Sequence, residues 1–322
     1  MSVFSRNAAI SAGLAVILAS TLFSSRTLRA TSQQNAASPA GQMQTPAAGQ
    51  TSAAPAAGAP AQAPAAPGTP ATPGAGRGRG LGREPDPIDF DDRTGYTEMF
   101  DGKTLTGWDG KPDTWKVVDG AIVGEHPAPP EGSPAPGFRQ TFLIWQGGEP
   151  ADFELKLEIK LEGMGADSGI QYRSFMAPLA PGRAGAPPPD PNDAKWNIGG
   201  YQFDFNGSGT FAGQAAEGFG RGIIAFRGQI VRTEAGKNAR LISEIGDRQA
   251  LAAYYKPGEW NQADLIAKGD TLIQIVNGHL MAVLIDDDAT HAKAKGLIGL
   301  QCAGPVGAKI SFRNIRIRMI SQ

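Results

Sequence analysis

The stretch GGYQFDFNG, residues 199–207, carries the side chains best suited to chemistry. Read as a strand, it points Tyr201, Phe203 and Phe205 to one side and Gln202, Asp204 and Asn206 to the other. Two amides and one carboxylate at i, i+2 and i+4, with no lysine to balance them, suit recognition of hydroxyls and carbonyls better than plain solubility. The strand is therefore expected to offer a binding floor. Upstream, SGIQYRS sends Ile170 and Tyr172 to one side and Gln171 and Arg173 to the other. An arginine among aromatics and glycines in a strand interior needs a partner. That partner is either a carboxylate of the fold, in a structural ion pair, or a polar ligand that Arg173 faces beside Gln202 and Asp204. Among the tryptophans, Trp196 is the one placed to stack on a sugar ring, because it sits just ahead of the polar strand.

The strand FELKLEIKL serves as an internal control. Its Phe153, Leu155, Leu157, Ile159 and Leu161 alternate with Glu154, Lys156, Glu158 and Lys160, whose mixed charges read as a solvated face. Other chemistry finds little support. His126, His279 and His291 are scattered, so no histidine-based metal or triad spacing exists. The run Asp286, Asp287, Asp288 lacks the spacing of an EF-hand loop and reads as a turn. FGRGIIAFRG is followed by no helical pattern, so a phosphate-cradling loop is not supported. Cys302 is the only cysteine, which excludes an internal disulfide and a cysteine-based zinc cluster. Lys+Arg 30 against Asp+Glu 31 leaves a net charge of −1, so no field gathers nucleic acid or an anionic membrane.

Elements able to position these residues begin near Thr94. From there to Gln322, short runs rich in Val, Ile, Phe, Tyr and Leu are cut by Gly, Asp, Asn and Pro, the pattern of an all-β sandwich or barrel. Asn277-Gly278 and Asp119-Gly120 each join two apolar runs by a dipeptide that favours a type I′ hairpin. A Pro-rich insertion, APLAPGRAGAPPPDPND, separates the strand of Arg173 from that of Asp204 and is expected to form a lid or rim. From Thr31 to about Arg83 the chain is Ala, Pro, Gly, Gln, Ser and Thr with almost no apolar bulk, and residues 31–93 read as a disordered linker. Residues 1–30 combine Arg6 with an apolar run from Ala8 to Phe23, as an export signal does. Leu28 is large for a cleavage site, so the segment is read as a signal peptide or as an uncleaved membrane anchor. Either way, residues 94–322 are expected outside the cytoplasm, in the periplasm or beyond.

In order along the chain, MFDGKTLTGWDG, WKVVDGAIVG, TFLIWQGGEPADFELKLEIKL, DSGIQYRS, GGYQFDF, GRGIIAFRG, EWNQADLIAKGDTLIQIVNGHL, GLIGLQ and FRNIRIRMI resemble one family, the bacterial 3-keto-disaccharide hydrolase domain. The resemblance spans about Tyr96 to Ile320. It implies a concanavalin A-like jelly-roll sandwich of two antiparallel sheets with a concave, carbohydrate-facing side. The family's SGI-x-x-R element falls on Ser168, Gly169, Ile170 and Arg173, and its Y-Q-x-D element on Tyr201, Gln202 and Asp204. Its acidic residue before GRGI resembles Glu217. Where relatives often carry a histidine after Leu-Gln, this chain has Ala303.

The substrates so implied are glycosides already oxidised at C3, supplied by a sugar 3-oxidase. The ketone acidifies the C2 proton and places the C1 leaving group β to a carbonyl. Removal of that proton, expulsion of the aglycone and addition of water then need one base and one enolate stabiliser. On this resemblance Asp204 is the expected base, with Arg173 and Gln202 on the C3 oxygen. Glu217 is a helper acid or a ligand to a divalent cation held by oxygens, while Gln171, Tyr201, Asn206 and Trp196 contact the sugar. A direct glycosidase using Asp204 and Glu217, and a non-catalytic carbohydrate-binding module, are the alternatives.

Overall fold

The computed structural model describes residues 85–87, 89–133, 138–179 and 190–321. The export signal or anchor, nearly all of the linker, and residues 180–189 of the Pro-rich insertion lie outside the described residues. Among those described, no helix is long and apolar enough to cross a membrane.

The strands are β1 (Thr97–Glu98), β2 (Trp108–Asp109), β3 (Trp115–Val118), β4 (Ala121–Glu125), β5 (Arg139–Trp145), β6 (Phe153–Glu162), β7 (Asp167–Met176), β8 (Ile198–Asn206) and β9 (Gln214–Gly218). They continue with β10 (Gly222–Ala225), β11 (Gln229–Glu234), β12 (Arg240–Glu244), β13 (Asn261–Lys268), β14 (Thr271–Val276), β15 (His279–Asp287), β16 (Leu297–Gly304) and β17 (Lys309–Met319). A 3-10 turn at Pro191–Trp196 and one short helix, Arg248–Ala252, complete the described elements. The larger sheet runs β12-β11-β15-β14-β13-β6-β17-β4-β3, with β1 on β17. The smaller runs β10-β9-β8-β7-β16-β5-β2. The chain is thus an all-β jelly-roll sandwich, as the alternation and turn spacing predict. Pairing is antiparallel except between β11 and β15, which run parallel.

Two-residue alternation builds the core. Phe153, Leu155, Leu157, Ile159 and Leu161 of β6 form one buried cluster with Ile170, Tyr172, Tyr201, Phe203 and Phe205 of the smaller sheet. Each such side chain contributes roughly 1.5–3 kcal/mol when fully buried. Both expected hairpins form with left-handed φ at both turn residues, 49° and 78° at Asn277-Gly278 and 49° and 76° at Asp119-Gly120.

The control strand is a correction. Glu158 and Lys160 are half-buried, but Glu154 and Lys156 are buried. Residues 89–96 fold across them: Lys156 Nζ lies 5.2 Å from the Tyr96 ring centre, and the Arg316 guanidinium lies 4.7 Å from that of Phe90. The backbone oxygens of Asp89 and Phe90 accept from Lys156 and Arg316. Alternation predicts which way a side chain points; it is blind to a distant segment laid over it. Asp264, beneath the same cover, is pushed up to about 7 by burial and then by Glu154.

Phe203 is fully buried, with its ring centre 4.7 Å from that of Phe205. Phe203→Ala is expected to cost about 3–5 kcal/mol in urea unfolding, with the slope against denaturant unchanged.

Candidate functional site

Strand register sorts the smaller sheet into two faces. On β8 and β9, Tyr201 pairs with Glu217 and Phe203 with Ala215, whereas Gln202 pairs with Ala216 and Asp204 with Gln214. Directly paired residues share a face. The first set points into the sandwich and the second points out. On β7, Gln171 stands opposite Gln202, Gly169 opposite Asp204 and Asp167 opposite Asn206. Farther along, Gly299 pairs with Gln171 and Ala303 with Asp167, and β16 in turn places Gln301 opposite Phe142 and Ala303 opposite Gln140. The outward face is therefore a field of amides.

These amides bond to one another in sequence. Ser174 Oγ donates to Gln171 Oε1 at 3.4 Å, and Gln171 Nε2 donates to Gln202 Oε1 at 2.6 Å. Gln202 Nε2 donates to Asp204 Oδ1 at 2.9 Å and to Gln301 Oε1 at 3.2 Å. Gln301 Nε2 reaches Gln140 Oε1 at 3.4 Å, and Gln214 Nε2 donates to Asp204 Oδ2 at 2.9 Å. Both Asp204 oxygens thus accept from amides. Gly169 makes room for this: a Cβ there would sit 2.5 Å from both Cγ and Nε2 of Gln202.

Asp204 is 9% exposed, and burial pushes its carboxyl up to about 7; the nearby Asp167 charge adds to the rise, against the Gln214 and Gln202 hydrogen bonds. Burial likewise lifts Asp167 to about 6. A cleft of about 210 Å³ opens on the same face, lined by Gln140, Phe142, Gln171, Ile198, Gln202, Gly218, Phe219 and Gln301; Asp204 lies behind this lining and meets it through Gln202.

Of the residues singled out from sequence, Gln171, Gln202 and Asp204 come together as expected. Five others do not. Arg173 has φ +45°, and the β7–β8 register shifts between Tyr172 and Phe175. This bulge takes the guanidinium away from the amides. Only 2% exposed, it donates to Asp152 Oδ1 at 3.1 Å and to the backbone oxygens of Ala151, Gly269 and Lys293. Arg173 is therefore a clamp between loops, the ion-pair alternative.

Glu217 and Tyr201 face inward, behind Asp204. Glu217 Oε2 accepts from Arg221 Nε at 2.6 Å, and Arg221 grips both oxygens of Asp286 at 3.0 and 2.6 Å. The Tyr201 hydroxyl and Thr233 Oγ1 also donate to Asp286. Burial works to raise Asp286, but the Arg221, Thr233 and Tyr201 bonds outweigh it and hold the carboxyl at about 2. What reads as a turn in sequence is a buried anchor. Trp196 is 7% exposed, with its indole N–H donating to Asp109 Oδ1 at 3.0 Å and Lys195 Nζ 4.1 Å from its ring centre, so neither ring face is an open platform. Asn206 builds the following turn, its amide donating to Ser208 Oγ and its Oδ1 accepting from the Phe211 N–H.

Gln140, Gln214, Gln301, Asp167 and Phe219 join this face without being singled out by the sequence pattern. A signal existed: glutamines recur on strands where Lys or Glu would normally solvate an outer face. The lid or rim expected of the Pro-rich insertion falls largely on residues 180–189, which lie outside the described residues.

A divalent cation does not fit these residues. Among the described residues no group of three His, Cys, Asp or Glu could hold one. Both oxygens of Asp204 are occupied by amide donors, Glu217 lies on the opposite face bonded to Arg221, and Ala303 offers no imidazole beside Asp167.

Residues 95–318 match the family described as the 3-keto-alpha-glucoside-1,2-lyase-like domain. No curated protein matches the chain. Similar solved structures include a candidate glycosyl hydrolase from Parabacteroides distasonis, at 16% identity and TM-score 0.41, with 71% of this chain and 95% of that one covered. A carbohydrate binding module, CBM66 from Bacillus subtilis, aligns at 14% identity and TM-score 0.39 over 66% of this chain and 95% of its own. The beta-glucanase of Bacillus licheniformis aligns at 11% identity and TM-score 0.38 over 69% and 96%.

Two outcomes follow from the site geometry. Arg173→Ala strips a buried clamp and leaves Asp152 without its counter-ion, with only the Gly269 N–H still bonded to it, so urea unfolding is expected to show a loss of about 3–5 kcal/mol. For Asp204, the folded state keeps a proton that the unfolded chain releases, since its carboxyl sits at about 7 when folded against roughly 3.9 when unfolded. Folding stability is therefore present at low pH and falls as pH rises through that window. Asp204→Asn should flatten this decline without abolishing it, because Asp264 and Asp167 are raised as well.

Proposed function

Since the chain belongs to the family of 3-keto-alpha-glucoside-1,2-lyase-like domains, we propose that it is a carbohydrate-active enzyme that cleaves 3-keto-glycosides on the outer face of its smaller sheet. The observation that carries this reading is Asp204: a buried carboxyl raised to about 7, aimed by two amides, beside a row of further amides. A base of this kind is poised to exchange protons near neutral pH.

The chemistry runs in two balanced stages. In the first, the Asp204 carboxylate takes the C2 proton, and the electron pair moves into an enolate with its charge on the C3 oxygen. The second amide N–H of Gln171 and of Gln301, left over once each has bonded along the row, supplies a donor for that oxygen, while both N–H groups of Gln202 hold Asp204 and Gln301. The enolate then collapses to expel the aglycone oxygen from C1. Asp204, now protonated, returns its proton to that oxygen, which is on the carbon next to C2. In the second stage, water adds at C1 of the unsaturated ketone, giving its proton to Asp204, and Asp204 protonates C2. The carboxylate is regenerated, and the products are a free 3-keto sugar and the aglycone alcohol. Asp167 enters only through its charge, which makes Asp204 a stronger base.

Arg173 and Glu217 have no part in this scheme, because one is turned into the loops and the other points behind the sheet. That same placement argues against a direct glycosidase built on Asp204 and Glu217, which would need both carboxyls in one site, flanking the bond, whereas here they point to opposite faces of the sheet. A 3-keto substrate requires prior oxidation of a glycoside at C3, so a sugar 3-oxidase belongs upstream, and export would put both steps outside the cytoplasm.

The test is release of the aglycone from a chromogenic 3-keto-glucoside by the full chain, beside its unoxidised parent, with and without chelator. Turnover of the keto sugar alone is expected, with kcat/KM rising as pH increases through about 7, where Asp204 ionises. Asp204→Asn should lower the rate by about 10²-fold or more and remove that pH dependence. Equal turnover of the parent glucoside would refute elimination, loss with chelator would add a cation to the site, and sugar binding without turnover would leave a carbohydrate-binding module.

A further inference from the structure

The wall of the cleft that the amides do not form is apolar, and it has its own construction. Along β8 the outward positions run Asp204, Gln202, Gly200, Ile198, so carboxylate gives way to amide, then to a gap, then to hydrocarbon. Phe142, Ile144 and Ile198, with Leu297 packed on them, form a hydrophobic cluster separate from the main core. Ile198 is laid over β16 at Gly299, where a Cβ would meet its Cδ1 at 2.5 Å.

Phe219 completes this wall. It is 43% exposed and has φ +59°, a left-handed conformation that is uncommon and unfavourable for an aromatic residue. Its side chain is set against β8 at Gly199, where an added Cβ would be 3.0 Å from Phe219 Cβ and Cδ2. Next to it, Gly218 has no side chain to stand over the Gln171 amide, whose Nε2 lies 3.6 Å from where a Cβ would be. An exposed ring held in a strained backbone at the mouth of a cleft is a costly arrangement for packing alone. Among the described residues no charged side chain lines the cleft.

We propose that this apolar wall, with Phe219 as its open aromatic surface, is the subsite for the leaving group, and that the preferred substrates are glycosides of aromatic or similarly apolar alcohols rather than disaccharides. The proposal rests on the preceding reading that the amide row takes the sugar. A second sugar would present hydroxyls to Phe142, Ile198 and Phe219, where no side chain can bond them. An aryl group would stack on the exposed Phe219 ring, with the already buried Phe142 and Ile198 as an apolar floor that offers it no polar partner.

Binding of phenyl, methyl and glucosyl glucosides of one anomer, titrated calorimetrically into the full chain, separates the outcomes. Phenyl glucoside is expected to bind about tenfold more tightly than either of the others. In Phe219→Ala and Phe219→Gly that preference should shrink to about twofold while methyl glucoside binding stays unchanged. Phe219→Gly should melt no lower than the parent, since glycine accepts a positive φ, and so guards against a folding artefact. Phenyl binding no tighter than methyl, glucosyl binding the tightest, or a preference that survives in both variants overturns the apolar subsite and leaves the amide-row reading standing. No binding of any of these glucosides, nor of their 3-keto forms, sinks both.

Discussion

The pleat of β8 is the constraint on which the rest of the molecule depends. Because side chains alternate strictly across a strand, Tyr201, Phe203 and Phe205 can fill the core only if Gln202 and Asp204 face outward. A slip of one residue would bury two amides and a carboxylate and expose three aromatic rings. Hydrophobic packing therefore sets the position of the polar row as firmly as it sets the core. The same parity sends Glu217 inward, since its partner is Tyr201.

Behind that strand, the inward polar residues serve to hold it. Tyr201, Thr233 and Arg221 converge on Asp286, and Glu217 completes the coordination of Arg221. This network joins β8 and β9 of one sheet to β11 and β15 of the other, so the strand that carries Asp204 is pinned from its rear. Arg173 performs a similar service at the far end of β7, tying loops through four acceptors. Buried charges of this sort are costly to desolvate and are tolerated when fully bonded. Their return here is a rigid floor.

The two sides of the small sheet then have opposite electrostatic characters. Inside, Asp286 is locked as an anion by a guanidinium and two hydroxyls, at about 2. Outside, Asp204 receives only neutral amide donors and remains near 7. Two carboxyls, Asp286 on β15 of the larger sheet and Asp204 on β8 of the smaller, thereby become a fixed counter-ion and a titratable base, with the difference made by the partners each one meets. The glycines at 169 and 218 serve the second role, one letting Gln202 lie across the sheet and the other leaving no side chain over the buried Gln171 amide.

Much of this was legible in the chain. Alternation and turn dipeptides determine the all-β class, both type I′ hairpins, and the facing of Gln171, Gln202 and Asp204, because period two and left-handed turn chemistry are local properties. The family pattern extends that to the jelly roll. What only the tertiary structure decided depends on partners remote in sequence. A bulge at Arg173 reverses one side chain in an otherwise regular strand. Pairing with Tyr201 turns Glu217 away from Asp204, and residues 89–96 bury Glu154 and Lys156 on a strand whose pattern reads as wet. Gln140, Gln214 and Gln301 join the site because three further strands lie beside β7 and β8 or one strand beyond them. A sequence states which way a residue points along its own strand; which strands lie beside it, and what covers it, are settled by long-range packing.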